Sequence, residues 1–281
     1  MQRKDFVKRS MLGAAAVITG SALAESYEMT PFKTTLNKNI NATIMKTILH
    51  TADSRGHANH GWLNAYHSFS FANWYNPDRV QFGALRVLND DTIAAGMGFG
   101  THPHDNMEII TIPLEGDLAH KDSMGNASTI KSGDVQVMSA GTGIFHSEFN
   151  PNDDQHTKLF QIWLFPNKRN VSPRYQQITL NKTDQKNNFS QILSPNPEDE
   201  GVWIHQDAWF YLSEFDAGTT KKLSLKKEGN GFYIMNIEGK INVNGQSLDK
   251  RDALGIWEIE QIEITASTDA RFLIMEIPMN V

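Results

Sequence analysis

Short β-rich runs separated by turn residues constrain this chain more than any other feature. From Met45 onward helical periodicity is scarce. The run 84–88 leads into Asn89-Asp90-Asp91, 108–114 into Glu115-Gly116, 135–139 into Ala140-Gly141, and 158–165 into Pro166-Asn167. Segment 166–200 is rich in Asn, Gln, Pro, Lys and Ser, and reads as an interdomain region. Strands resume at 231–237, 240–243, 254–258, 261–265 and 271–277. Closely spaced short strands with turn signals between them specify a sandwich or a barrel. At roughly 150 residues per domain, 281 residues make about two such units. An internal similarity supports duplication: 108–126 and 232–246 each hold an apolar strand, Glu-Gly, a second strand and a Gly/Asn turn.

Composition removes several function classes. There are 0 Cys, which excludes disulfide scaffolds, Cys-ligated zinc, iron–sulfur clusters and thiol nucleophiles. The formal net charge is −6, so no basic excess exists to neutralise a nucleic-acid backbone. No run of ~18 apolar residues is present, so no membrane span is expected in the mature chain.

Residues 1–24 read as a targeting segment. Arg3, Lys4, Lys8 and Arg9 precede a weakly apolar run from Met11 to Leu23, which ends in Ala22-Leu23-Ala24, a small-x-small cleavage pattern. Arg3-Lys4-Asp5-Phe6-Val7-Lys8 looks like a twin-arginine signal with Lys in the second Arg position. The expectation is export to the periplasm, or a cytoplasmic protein if the start lies near Met45. Residues 25–44 are polar and without period, and read as a linker.

The 10 His carry the chemistry. His102 and His104 are two apart, as are His146 and Glu148, and on a strand such pairs point to one face. If the two strands adjoin, three imidazoles and one carboxylate converge, a set that suits a divalent first-row metal. Around them, Gly96, His102, His104, Glu108 and Gly116 match the first cupin motif, with one extra residue before the last Gly. Gly133, Gly141-Thr142-Gly143, His146 and Asn150 match the second, with Ser139 and Gly141 where Pro is more usual.

Further segments narrow the resemblance. Arg55-Gly56-His57-Ala58-Asn59-His60-Gly61-Trp62, Phe69-Ser70-Phe71-Ala72-Asn73, His120-Lys121-Asp122-Ser123-Met124-Gly125-Asn126 and 139–148 resemble the pirins. Trp203-Ile204-His205-Gln206-Asp207 and the closing 273–278 resemble their bacterial quercetin 2,3-dioxygenase branch. The resemblance covers about 45–281. It implies an all-β bicupin of two packed jelly-roll barrels: a metal-binding cupin over 45–170 and a metal-free cupin over 171–281.

Carried over by motif, the resemblance places the metal ligands on His102, His104, His146 and Glu148. Glu108, the ligand position of many other cupins, is expected to be structural or to support the ligands from behind. His57, His60 and His120 are candidates for the pocket rim or for support of the ligands. His50, His67 and His156 read as ordinary surface or strand residues, and His205 is the lone His of the second domain. Phe99, Phe145, Phe149 and Trp163 either wall a flat pocket or fill the barrel core. The implied activity is Fe(II)-dependent cleavage of a flavonol by O2, releasing carbon monoxide and a depside, with Mn, Co, Ni, Cu or Zn as alternative metals. Glu148 is the candidate general base, and a monomer is expected. The alternative is a non-catalytic metal-binding pirin that acts through a protein partner.

Overall fold

The computed structural model describes residues 45–280. The expected signal segment 1–24 and linker 25–44 lie outside the described residues. Among the described residues the single α-helix is the four-residue Lys182–Gln185, and strands build the rest of the architecture.

Two barrels form, each from one seven-stranded and one four-stranded sheet. In the first, the large sheet runs in the order Arg174–Thr179, Asp134–Ser139, Glu108–Glu115, Thr157–Leu164, Leu85–Ile93, Leu63–His67, Gly56–Asn59. Its small sheet runs Gly98–His104, Ile144–Phe149, Asp117–Asp122, Ala127–Lys131. In the second, the large sheet begins Lys46–His50, Ala253–Trp257, Asn230–Glu238, Ala270–Pro278, Trp209–Phe215. The two halves of the suspected repeat, Glu108–Glu115 and Asn230–Glu238, hold the same third place in their sheets.

The large sheets pack on each other through one apolar cluster. Leu88, Ile110, Ile112, Phe160 and Ile162 from the first meet Phe210, Leu212, Tyr233, Met235, Leu273 and Met275 from the second. Each such side chain stabilises by about 1.5–3 kcal/mol when removed from water. Strand alternation then sends the remaining residues of each large sheet into its own barrel. The second barrel is filled there by Phe232, Ile234, Leu254, Ile256, Phe272 and Ile274 packed on Ile241, Val243, Ile262 and Ile264. The first barrel instead presents Thr111, Asn89, Asp91 and Gln161, which are buried and polar. That difference is what makes the first barrel a site.

Three local expectations are corrected. Asn89-Asp90-Asp91 is not a turn but the middle of the strand Leu85–Ile93. Asn89 accepts a hydrogen bond from His67 Nδ1 at 2.8 Å, and Asp90 pairs with Arg55 and Arg251 across the opposite face, so polar partners satisfy a polar strand. Segment 166–200, read as an interdomain region, contributes strands to both barrels. Arg174–Thr179 joins the first large sheet as its edge, where Gln177 and Thr179 both donate to Asp134. The sheets also do not divide at 170/171. Lys46–His50 pairs with Ala253–Trp257 in the second barrel, while Arg174–Thr179 completes the first. Each barrel thus takes its edge strand from beyond the boundary read in the sequence.

Candidate metal centre

Strands Gly98–His104 and Ile144–Phe149 pair antiparallel, with His146 opposite His102 and Ile144 opposite His104. The register then slips, so that Glu148 faces Phe99, and one extra residue is accommodated around Gly100-Thr101. Such a bulge re-aims neighbouring side chains. Here it also frees the Gly100 carbonyl to accept from His102 Nδ1 at 2.8 Å. That bond leaves Nε2 of His102 as the available metal donor, the usual way a ligand imidazole is oriented. Gly98 lets the strands close up, since a Cβ there would sit 2.2 Å from the Glu148 carbonyl oxygen.

The imidazoles of His102, His104 and His146 converge, with ring centroids 4.4 Å apart for 102/146 and 4.9 Å for 102/104 and 104/146. Burial, and then the neighbouring His102, lower the His104 pKa to about 4. Burial and the three surrounding imidazoles hold His146 far below the ordinary value. Both are therefore neutral donors near pH 7. His146 is buried, and neither of its ring nitrogens has a hydrogen-bond partner. Leaving a buried polar atom unpaired costs about 1–3 kcal/mol, and a cation where the three rings meet would engage one of the two nitrogens. The donor set fits a divalent metal.

Glu148 lies one dyad along from His146 and is fully enclosed, and burial raises its pKa. Its carboxylate groups with His146 and His120 rather than with all three convergent histidines. Gln161 Nε2 donates to both of its oxygens. His120 is buried opposite Glu148, with Nε2 turned to Asp122 at 3.4 Å.

Glu108 points elsewhere. It shares a strand face with Ile110 and Ile112, turned toward the second barrel. Ser139 Oγ donates to it at 2.6 Å, and the backbone of His205 also bonds it. It ties the barrels together at a distance from the imidazoles' side of the sheet.

The imidazoles open on a cavity of about 460 Å³. Trp62, Phe71, Phe99 and Trp163 supply its aromatic walls, and His67, Asn89, Asp91 and Gln161 its polar wall. An adjoining recess of about 370 Å³ includes His60, Trp62, Phe71 and Phe99. Phe99 and Trp163 thus line the cavity, as one sequence reading had it, but Phe145 and Phe149 are exposed on the outer face of the small sheet. His67, read as an ordinary strand residue, is a buried wall of the cavity, and His50 is buried with Nδ1 bonded to the Tyr233 hydroxyl. His57 is exposed and bonded to Asn64. Asn89, Asp91 and Gln161 did not stand out in the sequence; the signal for the first two was the two-residue spacing that puts them on one strand face with Val87 and Ile93.

Comparison with known proteins agrees with this architecture. Residues 48–164 match the Pirin family model, and residues 191–277 match the model of the quercetinase C-terminal cupin domain. The chain is 42% identical over 232 residues to the quercetin 2,3-dioxygenase of Escherichia coli K12, covering 82% of this chain and 98% of that one. It is 40% identical over 225 residues to a pirin-like protein of Caulobacter vibrioides, covering 80% and 96%. A bacterial pirin of Escherichia coli, solved in complex with nickel(II), superposes with a TM-score of 0.79 at 40% identity, covering 84% of this chain and 100% of that one. With its cupin barrels and its convergent histidines, the chain belongs to the pirin family.

Proposed function

We propose that this protein is a metal-dependent dioxygenase that opens the heterocyclic ring of flavonols. The observation that carries the reading is the convergence of three imidazoles, two of them held neutral, on an aromatic-walled cavity of about 460 Å³, within the size range of small-molecule sites. Names borne by relatives of similar length support the substrate class.

His102, His104, His146 and Glu148 would hold the metal, and Fe(II) is the ion proposed for this nitrogen-rich set with a single carboxylate. When bound, the metal supplies positive charge and redox chemistry beside the substrate. The chain's own residues do the rest. Trp62, Phe71, Phe99 and Trp163 stack on the ligand and exclude water. Glu148, its pKa raised by burial, accepts the proton of the flavonol 3-hydroxyl at a carboxylate oxygen. Gln161 holds that carboxylate in place through both oxygens.

The overall reaction balances without a further reductant. Both atoms of O2 enter the depside, the hydroxyl-bearing ring carbon leaves as carbon monoxide, and the flavonol supplies the electrons. Oxygen uptake by the Fe(II)-loaded protein, with and without quercetin, tests the reading. Flavonol-dependent uptake is expected, and none would contradict it.

The proposal extends to location. The Arg3–Ala24 pattern supports removal of residues 1–24 on export to the periplasm. Mass spectrometry of protein from its native host would then find a chain starting at Glu25, and an intact Met1 terminus would refute it.

A further inference from the structure

One wall of the cavity carries a group that the proposed chemistry does not use. Asp91 lies on Leu85–Ile93, in the large sheet that faces the small sheet bearing the three histidines. It is 4% exposed and lines the cavity. Its Oδ1 meets no donor. Arg55 and Arg251 both pair with Asp90, on the opposite face of this strand, and not with Asp91. The Gln161 amide, on the adjoining strand, donates to Glu148. Asn89, two residues back on the same face, accepts from His67 at its Oδ1 and makes no hydrogen bond to Asp91.

A buried polar atom with no protein partner costs stability unless a ligand, an ion or a water meets it, and Asp91 faces a cavity that can admit one. Burial, then the charges of Asp90 and Glu148, push its pKa up to about 8. Near neutral pH it therefore carries a proton and is both a donor and an acceptor.

We propose that Asp91 binds a phenolic hydroxyl on a ring of the substrate other than the one held beside the histidines, and so makes the cavity selective for polyhydroxylated flat aromatics. This rests on the flavonol reading above and deepens it. A neutral carboxyl suits a phenol better than an arginine or a carboxylate would. It accepts the phenol's proton and donates to the phenol's oxygen without burying a net charge. The aromatic walls orient the plane of the ligand, and Asp91 sets which edge is read.

The test is calorimetric titration of nickel-loaded protein in the absence of oxygen, so that binding is read apart from turnover. The two probes are quercetin and 3-hydroxyflavone, which share the 3-hydroxyl and differ in the hydroxyls of the outer rings. In the wild type, quercetin should bind more tightly. Asp91→Leu should weaken quercetin about tenfold, the loss expected for one ligand hydrogen bond, and leave 3-hydroxyflavone within about twofold. Asp91→Asn, which keeps a donor and an acceptor, should restore part of the difference. Asp91→Leu should melt at or above the wild-type Tm, because an unpaired buried polar group has been removed. A residue that merely shapes the barrel would weaken both probes alike or lower Tm. An unchanged quercetin-to-3-hydroxyflavone ratio in Asp91→Leu overturns the role of Asp91 alone. Failure of the wild type to bind either probe overturns the flavonol reading and this inference with it. If leucine overpacks the site, Asp91→Ala carries the same test.

Discussion

Gln161 donates from one amide nitrogen to both carboxylate oxygens of Glu148, at 3.1 Å each, while Thr111 Oγ1 donates to the amide oxygen at 3.2 Å. The three residues sit on three strands, so the large sheet fixes a carboxylate that belongs to the small one. Such outer partners typically contribute ~10–100-fold to metal affinity or activity. Gln161→Leu is expected to weaken metal binding within that range, measured by competition with a chromophoric chelator. Affinity equal to wild type would show that the carboxylate needs no such anchor.

The three histidines should be separable from folding. Replacing His102, His104 or His146 by Ala removes one protein donor from the centre, and each variant is expected to lose most of its metal by elemental analysis. Far-UV circular dichroism should stay barrel-like, because the fold rests on the apolar clusters between and within the barrels. Wild-type metal content in His146→Ala would contradict the assignment.

Glu148 and Glu108 offer a paired comparison. Glu148→Gln removes the proposed base and should lower turnover per bound metal by ~10²–10⁴-fold. Glu108 faces the second barrel, bonded to Ser139 and to the backbone of His205. Glu108→Gln should therefore leave metal content near wild type and act on stability instead. A larger loss of metal in Glu108→Gln than in Glu148→Gln would restore the ligand set of other cupins.

Glu108 also predicts a pH dependence. Burial pushes its pKa up from 4.5 to about 7, although Ser139, His205 and Arg174 pull it down. Between those values the folded chain keeps a proton that the unfolded chain has lost, so stability falls as pH rises from about 4.5 to 7. The slope within that window is on the order of 1.4 kcal/mol per pH unit. Glu108→Gln should flatten the fall. Melting curves across pH 4.5–8 for both proteins check this, and parallel curves would contradict it.

The strand pattern and the two histidine pairs were legible because alternation and i, i+2 spacing translate directly into sheet geometry. The same logic misjudged Asn89-Asp90-Asp91, since three consecutive turn formers outweigh propensity only when no tertiary partners are known. Here His67, Arg55 and Arg251 supply those partners, from 22, 35 and 161 residues away. Arg174–Thr179 was hidden for a related reason: an edge strand held by polar bonds to Asp134 shows no apolar period. The placing of Lys46–His50 in the second barrel leaves no local mark at all, because it depends on pairings about 200 residues apart, such as Lys46 with Trp257. The polar wall of the cavity escaped notice because His67 and Gln161 become neighbours of the histidines only once the two sheets face each other.

The most direct test of the account is simultaneous measurement of oxygen consumed and carbon monoxide released by the Fe(II)-loaded protein with quercetin. Equal amounts of both, lost in His146→Ala, are predicted. Oxygen uptake without carbon monoxide, or no uptake by a fully metal-loaded wild type, would contradict the proposed ring-cleaving activity.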